Sequence, residues 1–201
     1  MSEAPQTQLY FDKAQEACQK ENFPYAFELL DEVLAEEPSH AQARLMLQSI
    51  RERIAQGNPA KGMAKMAASL KSAPQLAQAA LHTNRKDWAK AAAAYEAVLR
   101  ANPTHEGALH QHGKVLLELD CVNAAVAVWE FLLKTNPDHM DTLRQLAALY
   151  LRTANSSKAH DAFERILKSN PNDGEARRGL KDLDAIGTLE RGFGGPTQKS
   201  E

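Results

Sequence analysis

With 201 residues, 43% of them hydrophobic and 25% charged, the chain can bury a core, and wholesale disorder is excluded. The apolar fraction is mostly Ala and Leu and aromatics reach only 6%, which favours helices over strands. A formal net charge of −2 lacks the basic excess of a nucleic-acid binder, and two cysteines, Cys18 and Cys121, without CxxC spacing exclude a disulfide framework and a zinc site.

The opening MSEAPQTQLYFDKAQEACQK has no basic stretch leading into an apolar one, and the roughly 18 consecutive apolar residues of a membrane span occur nowhere, so no membrane is expected as partner. A reducing, cytoplasmic location is the expectation. Residues 1–6 read as a short arm. Residues 7–40 then give two helices, with Ala14 and Ala26 as small residues, Leu30 and Val33 below them, an Asn22-Phe23 turn and a stop at Pro38.

Residues 41–71 are a degenerate repeat or a junction. Their first helix is clear, with Ala43, Leu47, Ile50 and Ile54 on one face and a stop at Gly57-Asn58-Pro59. Met63, Met66, Ala67 and Leu70 then stand at helical spacing and suggest a short second helix in a continuous stack; the competing reading makes residues 55–62 a flexible linker between two modules.

From residue 72 the order is strict. Asn102-Pro103, Asn136-Pro137 and Asn170-Pro171 place each Pro 34 residues from the next, which sets repeats at 72–105, 106–139 and 140–173. The second helices align Ala91, Ala125 and Ala159 in a small column, Tyr95, Trp129 and Phe163 in an aromatic one, and Val98, Leu132 and Ile166 in an aliphatic one. This i, i+4, i+7 recurrence marks the buried face. Ala79, Gly113 and Ala147 are the small residues of the first helices, beside Leu109, Leu116, Leu143 and Tyr150. Each Pro ends its helix, and Asn84-Arg85-Lys86-Asp87 and Thr153-Ala154-Asn155-Ser156-Ser157 read as turns. After Pro171, Ala176, Leu180 and Leu183 mark a capping helix over 174–186, and residues 187–201 are Gly-rich and polar, expected as a disordered tail.

The 34-residue spacing, the small columns, the Asp87-Trp88 and Asn22-Phe23 turn pairs and the closing prolines resemble tetratricopeptide repeats over roughly residues 7–186. The resemblance implies an all-α, right-handed superhelical stack of antiparallel helix pairs. Gln75 and Gln78, where apolar residues are usual, and His112, where an aliphatic is usual, depart from the pattern and point to looser helices. From Pro38 to Pro103 is 65 residues, three short of two periods. The lean, Ala-rich repeats suggest a bacterial source.

Charge is unevenly spread: residues 1–57 carry 5 basic and 10 acidic side chains, and residues 58–103 carry 7 basic and 2 acidic, a balance of −5 against +5. Mutual attraction across a repeat interface accounts for this better than a basic patch kept for a partner.

Catalytic signatures are absent, with no Walker A loop, GxSxG, HExxH or GxGxxG in a βαβ context, so neither an enzyme nor a cofactor is expected. His40, His105 and His139 recur at one interhelix position and read as surface turn residues. His110 and His112 diverge on one helix, too far to share a metal ion. The resemblance places the working surface on the concave side, formed mainly by first helices, where the packing columns leave Gln15, His110, Gln111, Lys114, Glu118, Arg144, Gln145 and Arg152 free. Such a groove suits an extended or helical peptide of some acidic character. The carboxylate clamp by which some of these repeats hold chaperone tails would fall on Leu76, Ala80, Gln111, Asp141 and Gln145, and is missing. A protein-binding adaptor or scaffold is therefore expected. Self-assembly into a homo-oligomer through stack ends or groove is the alternative, and an RNA-binding repeat is the weakest reading because the phosphate-binding excess is lacking.

Overall fold

The computed structural model describes the backbone of residues 6–57 and 73–193 and the side chains of residues 6–57 and 73–186. The expected short helix carrying Met63, Met66, Ala67 and Leu70 lies outside these residues, as do the first five residues and the last eight. Every regular element among the described residues is a helix. The chain divides into two compact units, Met1–Thr135 and Asn136–Glu201.

The first unit contains α1 (Gln6–Gln19), α2 (Phe23–Glu36), α3 (Ala41–Gly57), α4 (Ala73–Asn84), α5 (Trp88–Ala101), α6 (Glu106–Glu118) and α7 (Val122–Thr135). The second contains α8 (Met140–Arg152), α9 (Ser156–Ser169) and α10 (Gly174–Phe193). The last helix thus runs past Ile186, where the sequence suggests its end. Consecutive helices pack as pairs, α1 with α2, α4 with α5, α6 with α7, and α8 with α9.

The aligned columns are the interior. Ala91, Ala125 and Ala159 are fully buried, as are Val98 and Leu132, while Tyr95, Trp129 and Phe163 are buried beside them. The tightest contact is between α6 and α7. A Cβ added to Gly113 would stand 2.1 Å from Trp129 Nε1 and 2.4 Å from its Cε2, so only glycine fits. Trp129 Nε1–H donates to the His110 carbonyl at 3.1 Å, which satisfies the one polar atom of the largest buried ring. The expected looseness at Gln75 and Gln78 is visible in α4, where Ala79 is the buried residue and Leu81 is exposed.

The helix ends explain the recurring polar residues. After the second helices the cap N–H of Glu37, Asn102 and Asn170 returns to the carbonyl of Val33, Val98 and Ile166, and Pro follows at once. At the start of the first helices His40, His105 and His139 are caps rather than mere turn residues. Their Nδ1 atoms accept from Ala43, Ala108 and Thr142 N–H at 3.2, 3.1 and 3.3 Å, and Asp173 takes the same position before α10, accepting from Ala176 N–H at 3.0 Å. Between the helices of each pair one residue is left-handed: Glu21, Lys86, Asp120 and Ala154, with φ from 54° to 60°.

At α3 the structure departs from a uniform succession of repeats. One face, with Ala43, Leu47 and Ile50, joins the interior of α1 and α2. The adjacent face, about 100° round the helix, with Arg44, Gln48 and Arg51, is also buried, and α3 lies against α7. Cys121 Sγ contacts the Ser39 carbonyl and Lys134 Nζ the Glu52 carboxylate, both across 82 residues, so α3 runs parallel to α7.

Two substitutions test this packing. Gly113→Ala is expected to destabilise the chain by roughly 2 kcal/mol, since the Trp129 ring has nowhere to move. Ala154→Gly relieves a left-handed alanine and is expected to stabilise by ~0.5 kcal/mol after the entropy that glycine adds to the unfolded chain. Urea unfolding followed by circular dichroism measures both.

Candidate partner-binding site

The first helices of the opening pairs, α1 and α3, face each other across a cleft of about 640 Å³. Phe11, Gln15, Cys18 and Gln19 line it from α1, and Gln42, Leu45, Met46, Ser49 and Arg53 from α3. The helical period aligns these side chains on facing surfaces. Phe11 is held at the base by the His40 ring, 4.9 Å away between centroids. Arg53 stands at one end, 3.6 Å from Glu21 and 5.6 Å from the centre of the Phe23 ring. Among the described residues no carboxylate lines the cleft, although residues 1–57 carry ten acidic side chains and Glu21 stands against Arg53. Three primary amides each offer donors and an acceptor, so they match a peptide backbone, while Phe11, Leu45 and Met46 provide an apolar floor.

The remaining expected groove residues are distributed over two helices. On α6, Lys114 and Glu118 are exposed and Gln111 is half-buried. His110 is a correction: it is buried, with its ring centroid 6.4 Å from that of Trp129, because the tight α6–α7 approach draws this side of α6 into the interior. In the second unit Gln145 and Arg152 on α8 are exposed. Arg144 is not free. It pairs with Asp173 at 2.9 Å and approaches Asp141 at 3.8 Å. The Ala176 N–H first and then Arg144 hold the Asp173 carboxyl below the usual carboxylate range. Arg144, Ala148 and Leu151 border a second cleft of about 350 Å³ with Phe163, Arg178 and Asp182.

Sequence reasoning missed a buried ionic cluster in the first unit. Arg44 Nη1 donates to Glu96 Oε1 at 2.5 Å, and its Nε and Nη2 donate to the Pro38 carbonyl at 2.8 and 2.6 Å. Arg51 Nη2 is 4.0 Å and His112 Nε2 3.4 Å from the same Glu96 oxygen, and all four side chains are nearly inaccessible. Burial pushes the Glu96 carboxyl up, but contact with His112 and the charges of Arg44 and Arg51 outweigh it and hold the group down at about 2. Burial lowers His112 to about 4 in spite of Glu96, and Arg51 to about 10. At neutral pH two arginines therefore share one carboxylate beside a neutral imidazole. The i, i+4, i+7 spacing of Arg44, Gln48 and Arg51 was the available signal, since it gives α3 a second, polar face.

No family model matches the chain, and no curated protein does. Solved structures match. The first repeat domain of Spaghetti (RPAP3), bound to an HSP90 peptide SRMEEVD, superposes with a TM-score of 0.53 at 16% identity, over 59% of this chain and 94% of that one. The Sgt2 repeat domain from Aspergillus fumigatus gives 0.52 at 19% identity over 65% and 89%, and the Arabidopsis OM64 domain gives 0.51 at 16% over 58% and 96%. The chain has the tetratricopeptide-repeat fold. No helix among the described residues is long and apolar enough to cross a membrane.

The buried cluster makes a pH prediction. Burial holds His112 down at about 4 in the fold against 6.5 for an imidazole in water, so its contribution is fully present above pH 6.5 and is lost as pH falls toward 4. Glu96, at about 2 against 4.5, extends the loss from pH 4.5 toward 2. The urea midpoint is expected to fall below pH 6.5, and His112→Leu to flatten the upper part of that decline. An unchanged slope between pH 6.5 and 4.5 contradicts this account.

Proposed function

We propose that the chain is a non-enzymatic protein-interaction module that holds a peptide segment of a partner protein on the faces of its first helices, with the α1–α3 cleft as the main seat in the first unit. The observation that carries this is the cleft's lining: an apolar floor of Phe11, Leu45 and Met46, flanked by Gln15, Gln19 and Gln42 and, among the described residues, free of carboxylates. A bound segment would place one apolar side chain on the floor, exchange backbone hydrogen bonds with the amides, and set an acidic group near Arg53.

The exposed Lys114 and Glu118 of α6, and separately Gln145 and Arg152 of α8, are further contact positions in this reading. The likeness to a domain bound to an HSP90 peptide supports a protein partner in general. The missing clamp argues that this partner is not a chaperone tail.

Capture of partners by the full-length chain tests the proposal. Met46→Glu, which puts a charge on the floor, and Arg53→Glu are expected to weaken capture at least tenfold, about 1.4 kcal/mol, with the helical spectrum unchanged. Lys114→Glu is expected to act more weakly. Undiminished capture by Met46→Glu would sink the cleft assignment.

A further inference from the structure

The interior of the first unit comes in two pieces. One is built by α1, α2 and the apolar face of α3, with Phe11, Leu30, Val33, Leu47 and Ile50 among its members. The other is built by α4 to α7 around Tyr95, Val98, Leu116, Val128 and Leu132. The strongest contacts between them are ionic or polar. Arg44 meets Glu96 at 2.5 Å, Arg100 Nη2 reaches both Asp31 oxygens at 2.8 Å, Lys134 meets Glu52 at 2.9 Å, and Cys121 Sγ contacts the Ser39 carbonyl at 3.3 Å. Leu45 and Ala55 are the α3 residues that pack on the second piece.

A junction of this kind behaves differently from a hydrophobic one. When it opens, its charges regain water, so separation is less unfavourable than tearing an apolar core. When it closes, every carboxylate needs a cation from the other piece. Any identical chain supplies those cations in the same geometry. Residues 1–57, with a balance of −5, and the α4 to α7 piece, with six basic and six acidic side chains, share no net charge of one sign that would hold the two pieces of different copies apart. Fifteen residues separate Gly57 from Ala73, a length that reaches up to ~50 Å when extended.

We propose that the junction is also an intermolecular surface, and that its occupant is a second copy of this chain: residues 6–57 of each copy dock through α3 on the α5 and α7 face of the other. The exchanged pair keeps the contacts of the single chain, with Arg44 and Arg51 of one copy on Glu96 of its partner. Tethering favours the closed single chain at low concentration, so the exchanged form gains weight as concentration rises. This surface shares Leu45 with the α1–α3 cleft, but the exchange does not depend on peptide holding there.

Reciprocal charge reversal in the full-length chain tests the exchange. Glu96→Arg sets like charges across its own junction, and so does the double variant Arg44→Glu, Arg51→Glu. Mixed, the two restore opposite charges only between chains. Light scattering at low salt is expected to show each variant alone near the 22.1 kDa chain mass and the mixture at twice that, with at least tenfold tighter association than either variant with itself. A mixture that stays at the single-chain mass overturns the proposal. So do dimers formed equally by either variant alone, which place the contact elsewhere. Should a variant lose its helical spectrum, the wild type decides. A blend of isotope-labelled and unlabelled chains at about 1 mM, in the range of tethered effective concentrations, gives mixed dimers in native mass spectrometry if exchange occurs and single chains if it does not.

Discussion

In each aligned helix pair a bulky side chain of the second helix takes up room that a small residue leaves beside it. The contact of Trp129 with Gly113 is the extreme case, since the ring stands where any Cβ would be. The consequences run outward from there. A ring that fills the space between two helices fixes their separation, which buries the alanine column and brings Val98, Leu132 and Ile166 onto the same interior. The same principle recurs in the second unit, where the Phe163 ring lies against Gly179 of α10. First-helix side chains can be divided into packed and open ones only because these contacts hold the helices at fixed distances.

That dependence explains how much was legible in the sequence. The 34-residue spacing and the columns report contacts between neighbours in the chain, and neighbours in the chain are what pack: the pairs α4–α5, α6–α7 and α8–α9 sit where the closing prolines put them. His40, His105 and His139 were visible as a column, but their capping role was not, because an imidazole accepting an amide hydrogen bond leaves the same trace in sequence as an imidazole in water. Asp173, in register with them, was the chemical clue. His110 and Arg144 failed as open groove residues for opposite reasons. The first is drawn inward by the Trp129 contact, and the second is bound by a carboxylate beyond the helix that carries it.

The ionic cluster was illegible for a deeper reason. Glu96 belongs to a column with Glu130 and Glu164, and Glu164 is exposed in the structure. Nothing local distinguishes Glu96. It is buried because α3 lies over it, and α3 lies there through a contact that skips the intervening helices. Periodicity describes the interaction of each repeat with the next. It carries no information about a helix that leaves the succession and settles elsewhere, except through the side chains it must bring to be accepted there, here two arginines and a glutamine on the face beside Ala43, Leu47 and Ile50.

The left-handed residues between paired helices bear on how such a chain can change over generations. Glu21, Lys86, Asp120 and Ala154 occupy a conformation in which glycine is at ease, and none of them is glycine. Each turn therefore tolerates almost any side chain at a similar modest penalty, and the tip of every hairpin is open to drift. The four residues of the Glu96 cluster are in the opposite situation. Loss of Glu96 leaves two arginines without their carboxylate in the interior, and loss of an arginine weakens the hold on Glu96, so the effect of each replacement depends on the others. Sequence divergence among chains built this way should accumulate at the hairpin tips and stall at the junction, which ties the rate of change at a position to the number of other positions that must move with it.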